Sequence, residues 1–278
     1  MKIIIFADKY GKLIKNTDIM KKLLTLFAAM LFSAAMFAQL GQPRWSVNVG
    51  LGTQTIIGSD TKYFFDDDSK VTPNFAWQVG TEVRIPLMGT EFGAQWLADV
   101  AIGTRGFHHT WKSGNKYETK EALHLFNIQL APFMFGWNFD LGPVSLMPFA
   151  GPYLSIDFAG ANHVKSKWDD GEAIDVKQSI WKVLGEKEMA ASDSKAYLNY
   201  YDEDAKKWKR GHQFFDVGLN FGGNVYFLDH FYGGVMFQTG FMQMAKKSYR
   251  EFTDEDGKKV TPKFGTSFSF LVRFGYEF

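Results

Sequence analysis

The chain ends Phe264-Gly265-Thr266-Ser267-Phe268-Ser269-Phe270-Leu271-Val272-Arg273-Phe274-Gly275-Tyr276-Glu277-Phe278. Apart from Thr266, every even position is aromatic or Val, while the odd positions are Gly, Ser, Leu, Arg and Glu. A period of two places these sets on opposite faces of a strand. The apolar face is too long and too aromatic for a strand of an ordinary soluble sheet, which averages about five or six residues. It suits a strand that faces lipid and carries an aromatic girdle at its end.

Working back from this strand, the same alternation recurs seven times. Trp45, Val47, Val49 and Leu51 alternate with small residues, and Phe75, Trp77, Val79, Val83 and Ile85 oppose Gln78, Glu82 and Arg84. Phe92, Trp96, Val100 and Ile102 oppose Gln95, Asp99 and Arg105. A fourth segment, near Leu123 to Phe139, changes parity around Pro132, which predicts a bulge because proline cannot donate to a ladder. Three further strands start near Val144, Phe215 and Val235.

Connections alternate between long and short, with short turns at Pro86–Gly89, Asp140–Pro143 and Leu228–His230. The expected fold is therefore all-β: an eight-stranded antiparallel transmembrane β-barrel with long extracellular loops and short periplasmic turns. An even strand count puts both ends on the periplasmic side. Trp45, Phe92, Trp137, Phe139, Phe227, Phe274, Tyr276 and Phe278 should then form the lower girdle. A lipocalin-like soluble barrel is the alternative.

The sequence has 278 residues, 31 Lys and Arg, 30 Asp and Glu, and no Cys. Balanced charge gives no electrostatic case for nucleic acid. Lack of Cys removes disulfides, thiolate chemistry and a lipoprotein anchor. Lys21 and Lys22 precede an apolar run from Leu23 that ends in small residues, as a signal peptide does. Residues 20–38 are assigned to it, with cleavage after Ala35 or Ala38. Residues 1–19 are an upstream extension or start-site error, and residues 39–278 form the barrel domain.

An eight-stranded barrel is just wide enough for side chains to fill it. Parity points Glu82, Arg84, Gln95, Asp99, Arg105, Asp157, Asp216, Arg273 and Glu277 inward. A structural ion-pair network is expected there, with Arg273 reaching over strand one toward Glu82. Three acidic loop segments, around Asp66, Asp202 and Asp254, suit either Ca²⁺ or, as the favoured reading, hairpin tips. The segment from Gly160 to Gly211 carries ten basic and ten acidic residues. Ile174, Trp181 and Leu184 within it suggest a short helix between Ala173 and Ala191. Trp181, Tyr197, Tyr200, Tyr201 and Trp208 make it the candidate partner-binding loop, since Tyr and Trp favour binding surfaces. His108, His109, His163 and His212 suit either a shared outer metal site or, as the favoured reading, loop residues that form no metal set.

Met147-Pro148-Phe149-Ala150-Gly151-Pro152-Tyr153-Leu154 resembles a P-x-x-G-P-Y element, and Phe215-Asp216-Val217-Gly218-Leu219-Asn220-Phe221-Gly222-Gly223 a D-x-G-x-x-x-G element. With the closing Phe274–Phe278 and a signal ending Ala38-Gln39, they are similar to the outer-membrane β-barrel family that includes PorT-like proteins of Bacteroidetes. The resemblance covers most of residues 40–278. It implies an outer-membrane barrel, and some members assist protein secretion. The long third loop departs from the compact family pattern. The expected role is non-enzymatic and without cofactor: structural or binding through the extracellular loops. The alternatives are a secretion or assembly accessory factor and a small-solute porin. Expected partners are outer-membrane lipid, the barrel insertion machinery and a protein or glycan ligand at the outer loops, with no nucleic acid.

Overall fold

The computed structural model describes residues 41–59, 70–113, 117–168, 173–183, 199–202, 205–228, 230–254 and 257–278. The signal peptide and the upstream extension lie outside the described residues. Eight long strands form the barrel: β1 (Arg44–Ile57), β2 (Asn74–Pro86), β3 (Gly93–Ser113), β4 (Tyr117–Asp140), β5 (Val144–Trp168), β6 (Phe215–Phe227), β7 (Phe231–Gln243) and β8 (Thr266–Glu277). Each pairs antiparallel with its neighbour in sequence, and β8 returns to β1 with Ser46 opposite Glu277 and Ile56 opposite Ser267. The ring therefore leaves no edge strand along its wall.

Outward residues form an apolar belt. Val49, Val79, Val100, Ile128, Leu154 and Val272 are exposed around its middle. Trp45, Trp137, Phe227, Phe274 and Phe278 are exposed toward the lower end, where the short turns lie. Inward residues are polar and buried, including Asn48, Glu82, Asp99, Arg105, Asp216 and Arg273. Backbone groups in hydrocarbon need internal partners, and a closed barrel supplies them all. An apolar exterior around a polar interior is the polarity of a transmembrane barrel, and its address is the bacterial outer membrane.

The parity change in β4 is a bulge. Register shifts occur between Leu130 and Phe135 against β5, and between Leu97 and Asp99 against β3. Asn127, Gln129 and Ala131 point inward before it, and Met134 and Asn138 after it. Gly151 of β5 faces the bulge, and a Cβ there would overlap the Phe133 carbonyl and the Met134 backbone.

Four sequence expectations are corrected. Phe264 does not face lipid: Gly265 has φ +115°, which reverses the alternation and turns Phe264 into the core. Residues Ala173–Ser179 form a strand on β5 instead of a helix, because β5 runs past its pairing with β6 and offers them the backbone edge of residues 161–167. His108 and His109 lie in β3, and His163 lies in β5, so none of these three is a loop residue. Ile85 is buried where the wall meets the lower rim.

The lengths are unequal. β3, β4 and β5 have 21, 24 and 25 residues, while β6, β7 and β8 have 13, 13 and 12. About ten residues cross a membrane as a tilted strand. The surplus of β3–β5 continues outward as roughly 36–50 Å of strand at about 3.3 Å per residue. Short strands Lys70–Thr72 and Ala173–Ser179 pair with its two flanks, giving a five-stranded ledge above the belt.

Candidate functional site: the filled lumen and the outer ledge

Near the lower mouth, the carboxylate of Glu277 accepts from Arg84 Nη2 at 2.6 Å and Nε at 3.0 Å, and from Arg44 Nη1 at 3.0 Å. Arg44 also pairs with Glu91. These groups line a vestibule of about 720 Å³ with Asn138, Tyr226 and His230.

Arg273 lies 3.4 Å from Glu82 and 3.2 Å from Asp99, and Asn48 donates to Asp99 at 3.2 Å. Since β1 separates β8 from β2, Arg273 crosses over the small residues of β1, with Gly50 directly opposite it. Packing in the same lumen includes Leu97, Met134, Met147, Met236 and Leu271. Gln129 receives Gln238 Nε2 at 2.7 Å and donates to Asn220 at 3.0 Å.

Arg105 is the hub of the upper half. Its Nε and Nη2 grip Asp157 at 2.7 and 2.6 Å, its Nη1 reaches Asp216 at 3.0 Å, and Nη2 also donates to the Gln213 carbonyl at 3.1 Å. A fork of this kind suits paired carboxylates. Asp216 additionally accepts from Tyr153, Ser267 and the Met242 amide. His212 lies 2.7 Å from Asp157.

The family-like motifs become one unit here. Tyr153 is paired across the ladder with Gly218, whose missing Cβ makes room for the phenol ring, and the hydroxyl donates to Asp216 at 3.2 Å. Tyr232 covers Gly275 of β8 in the same way and meets Ser46 at 3.4 Å. Aromatic rings that cover cross-strand glycines pin register.

Above Arg105 an apolar plug closes the barrel. Ile56, Phe107, Leu123, Leu125, Ile180, Met244 and Phe264 are buried together. Loop backbone holds it in place through Gln213 N to Met244 O at 2.9 Å and Met244 N to Gly265 O at 3.0 Å. The plug is a functional feature absent from the sequence expectations. Its signal was present in the inward parity of Phe107, Leu123 and Leu125.

Glu121 sits on the inner face of the ledge. It accepts from Asn162 Nδ2 at 2.6 Å, and His109 Nδ1 is 3.8 Å away. Burial raises its carboxyl to about 7. Tyr249 is pushed up by burial and by the Glu121 charge.

Among the aromatic residues of the candidate binding loop, Trp181 is half-exposed. It stacks on Phe214 at 4.6 Å, carries Arg210 over its ring at 5.4 Å, and donates its indole N–H to the Phe158 carbonyl at 2.9 Å. Tyr200, Tyr201 and Trp208 fall in the hairpin Asn199–Asp202/Lys207–Arg210, with Tyr201 opposite Trp208 in register. Tyr197 lies outside the described residues.

The centres of the acidic segments also lie outside the described residues. Their described acids serve turns: Asp202 caps the Ala205 amide at 2.7 Å and Asp254 the Lys258 amide at 2.8 Å. Among the described residues no cluster of three or more His, Asp or Glu is arranged to hold a metal ion.

No protein-family profile and no curated protein matches the chain. Similar solved structures are outer-membrane proteins. Neisserial surface protein A shares 11% identity over 84% of this chain and 97% of that one, with a TM-score of 0.34. OprG of Pseudomonas aeruginosa shares 12% over 86% and 98%, at 0.32. Ail of Yersinia pestis shares 9% over 85% and 99%, at 0.30. The class assignment, a transmembrane β-barrel, rests on this chain's own register and side-chain polarity.

Proposed function

We propose that the protein is a non-conducting, non-catalytic outer-membrane barrel that anchors a stiff extracellular ledge, and that the ledge binds a protein or glycan outside the cell. One observation carries this reading: the strands continue far above a lumen that is filled and plugged. A barrel whose task was solute passage would gain nothing from extra wall above a closed bore. Replacing residues 108–121 with a tight turn and removing 164–179 tests the reading on intact cells. Binding to arrays of glycans and extracellular proteins should be lost while the heat-dependent gel shift of the folded barrel persists. Equal binding by the shortened barrel would refute it.

The vestibule beside Arg44, Arg84, Glu91 and Glu277 favours a second reading. There the protein is an accessory factor of the PorT-like kind, working from the periplasmic mouth. Arg44→Glu would then impair protein export, and ledge shortening would not.

A further inference from the structure

A cleft of about 570 Å³ crosses the outer wall where the ledge leaves the apolar belt. It lies where β2 gives way, across Pro73, to the short strand Lys70–Thr72, while β3, β4 and β5 continue upward. Gly160 and Ala161 line it without bulk. Phe75, Trp77 and Phe126 form its lower part, and Phe75 is 61% exposed. His124, His163 and Lys177 form its upper part.

The basic groups are brought together by strand pairing. Lys177 is directly opposite His163, and the His108 and His124 rings are 5.6 Å apart. Gly106, opposite His124, has no side chain, so the imidazole leans across β3 to meet Asn74 Nδ2 at 2.9 Å. On this projecting part of β4, burial and the neighbouring His108, Lys177 and His163 push the His124 imidazole below its ordinary value. The nearby carboxylate, Asp175, is already matched by His163 at 2.6 Å and Lys165 at 3.1 Å. Among the described residues no carboxylate forms an ion pair with Lys177.

From this arrangement we infer that the cleft holds a phosphate-bearing lipid of the outer leaflet. Lys177 and His124 face the phosphate, with His163, held by Asp175, at their side, and an acyl chain lies along Phe75, Trp77 and Phe126. Position selects a lipid over an extracellular partner, because the lower half of the cleft lies at acyl depth, where a water-borne protein does not reach. Charge selects a phosphate over a neutral headgroup, since basic pockets at the membrane surface attract anionic lipid and Lys is a compact partner for phosphate. An aromatic floor at the interface is where amphipathic rings settle.

The test places the folded full barrel in nanodiscs of phosphatidylcholine containing a minor fraction of phosphatidic acid. Bromine on the acyl chains of one lipid or the other quenches nearby indole emission. The Trp77 contribution is taken as the difference between the wild type and Trp77→Phe. Brominated phosphatidic acid should quench it several-fold more than its mole fraction predicts, and brominated phosphatidylcholine should not. Lys177→Glu should abolish the preference. This exposed side chain is not part of the barrel core, and the gel shift confirms that the variant is folded. Lys259→Glu, on a distant loop, should leave the preference intact. Quenching in proportion to mole fraction, or a preference that survives Lys177→Glu, would overturn the proposal. Loss of the preference on adding millimolar inorganic phosphate would show a free-anion site and would overturn the lipid assignment.

Discussion

The lumen and the ledge are built from the same strands, yet they treat charge in opposite ways. Inside the belt, Arg105, Arg273 and Arg84 are each buried against carboxylates that arrive from other strands. On the ledge, pairs such as Lys112–Glu118 and Lys165–Asp175 are exposed, and Lys177 stands over an apolar cleft. Burial makes lumen charge structural, since an ion left without its partner there is costly. Exposure makes ledge charge nearly neutral for stability and free for recognition.

Breaking the lumen side should have the largest effect. Arg105→Ala leaves Asp157 and Asp216 facing each other without their cation, and should cost about 3–5 kcal/mol in urea unfolding from bilayers. Arg273→Ala should cost less, about 3 kcal/mol, because its contacts are longer and, among the described residues, its Nε and Nη1 have no hydrogen-bond partner. If Arg273→Ala proved the costlier of the two, the upper half would not be the stronger clamp.

The ledge should respond to pH instead. Glu121 has a folded value near 7, above its ordinary 4.5, so the folded ledge holds this proton more tightly than the unfolded strand. Stability from this group is complete below about 4.5 and declines as pH rises toward 7. Amide exchange in β4 around Glu121 should therefore accelerate between pH 5 and 8 beyond its intrinsic rate change. Glu121→Gln should remove that excess. An unchanged excess in the variant would assign it to another group. The smallest effect belongs to Trp181→Ala. It exposes Phe214 but leaves the lumen paired, and should shift barrel unfolding by less than about 1 kcal/mol.

Most of the wall was legible because lipid outside and polar packing inside enforce a strict period of two. That period even located the β4 bulge at Pro132. Legibility failed where the period stopped being the governing constraint. Above the belt the outer face meets water, so Lys112, Lys120 and Lys165 replace aromatics there and the strands resemble a charged loop. Parity alone places Phe264 on the lipid face, because Gly265 resets the alternation with a backbone conformation that composition does not show. The cleft was not legible at all. It joins His124, His163 and Lys177 with Trp77, residues brought together only by the pairing of β2 through β5 and its flanking strand.

Planar-bilayer recording of the purified folded barrel tests the central contrast most directly. A lumen filled by Arg105, Arg273 and their carboxylates, beneath a plug of Phe107, Leu125 and Phe264, predicts a flat trace at both polarities. Discrete, reproducible conductance steps from the wild-type barrel would contradict it, because ions would then be crossing a region that the side chains occupy.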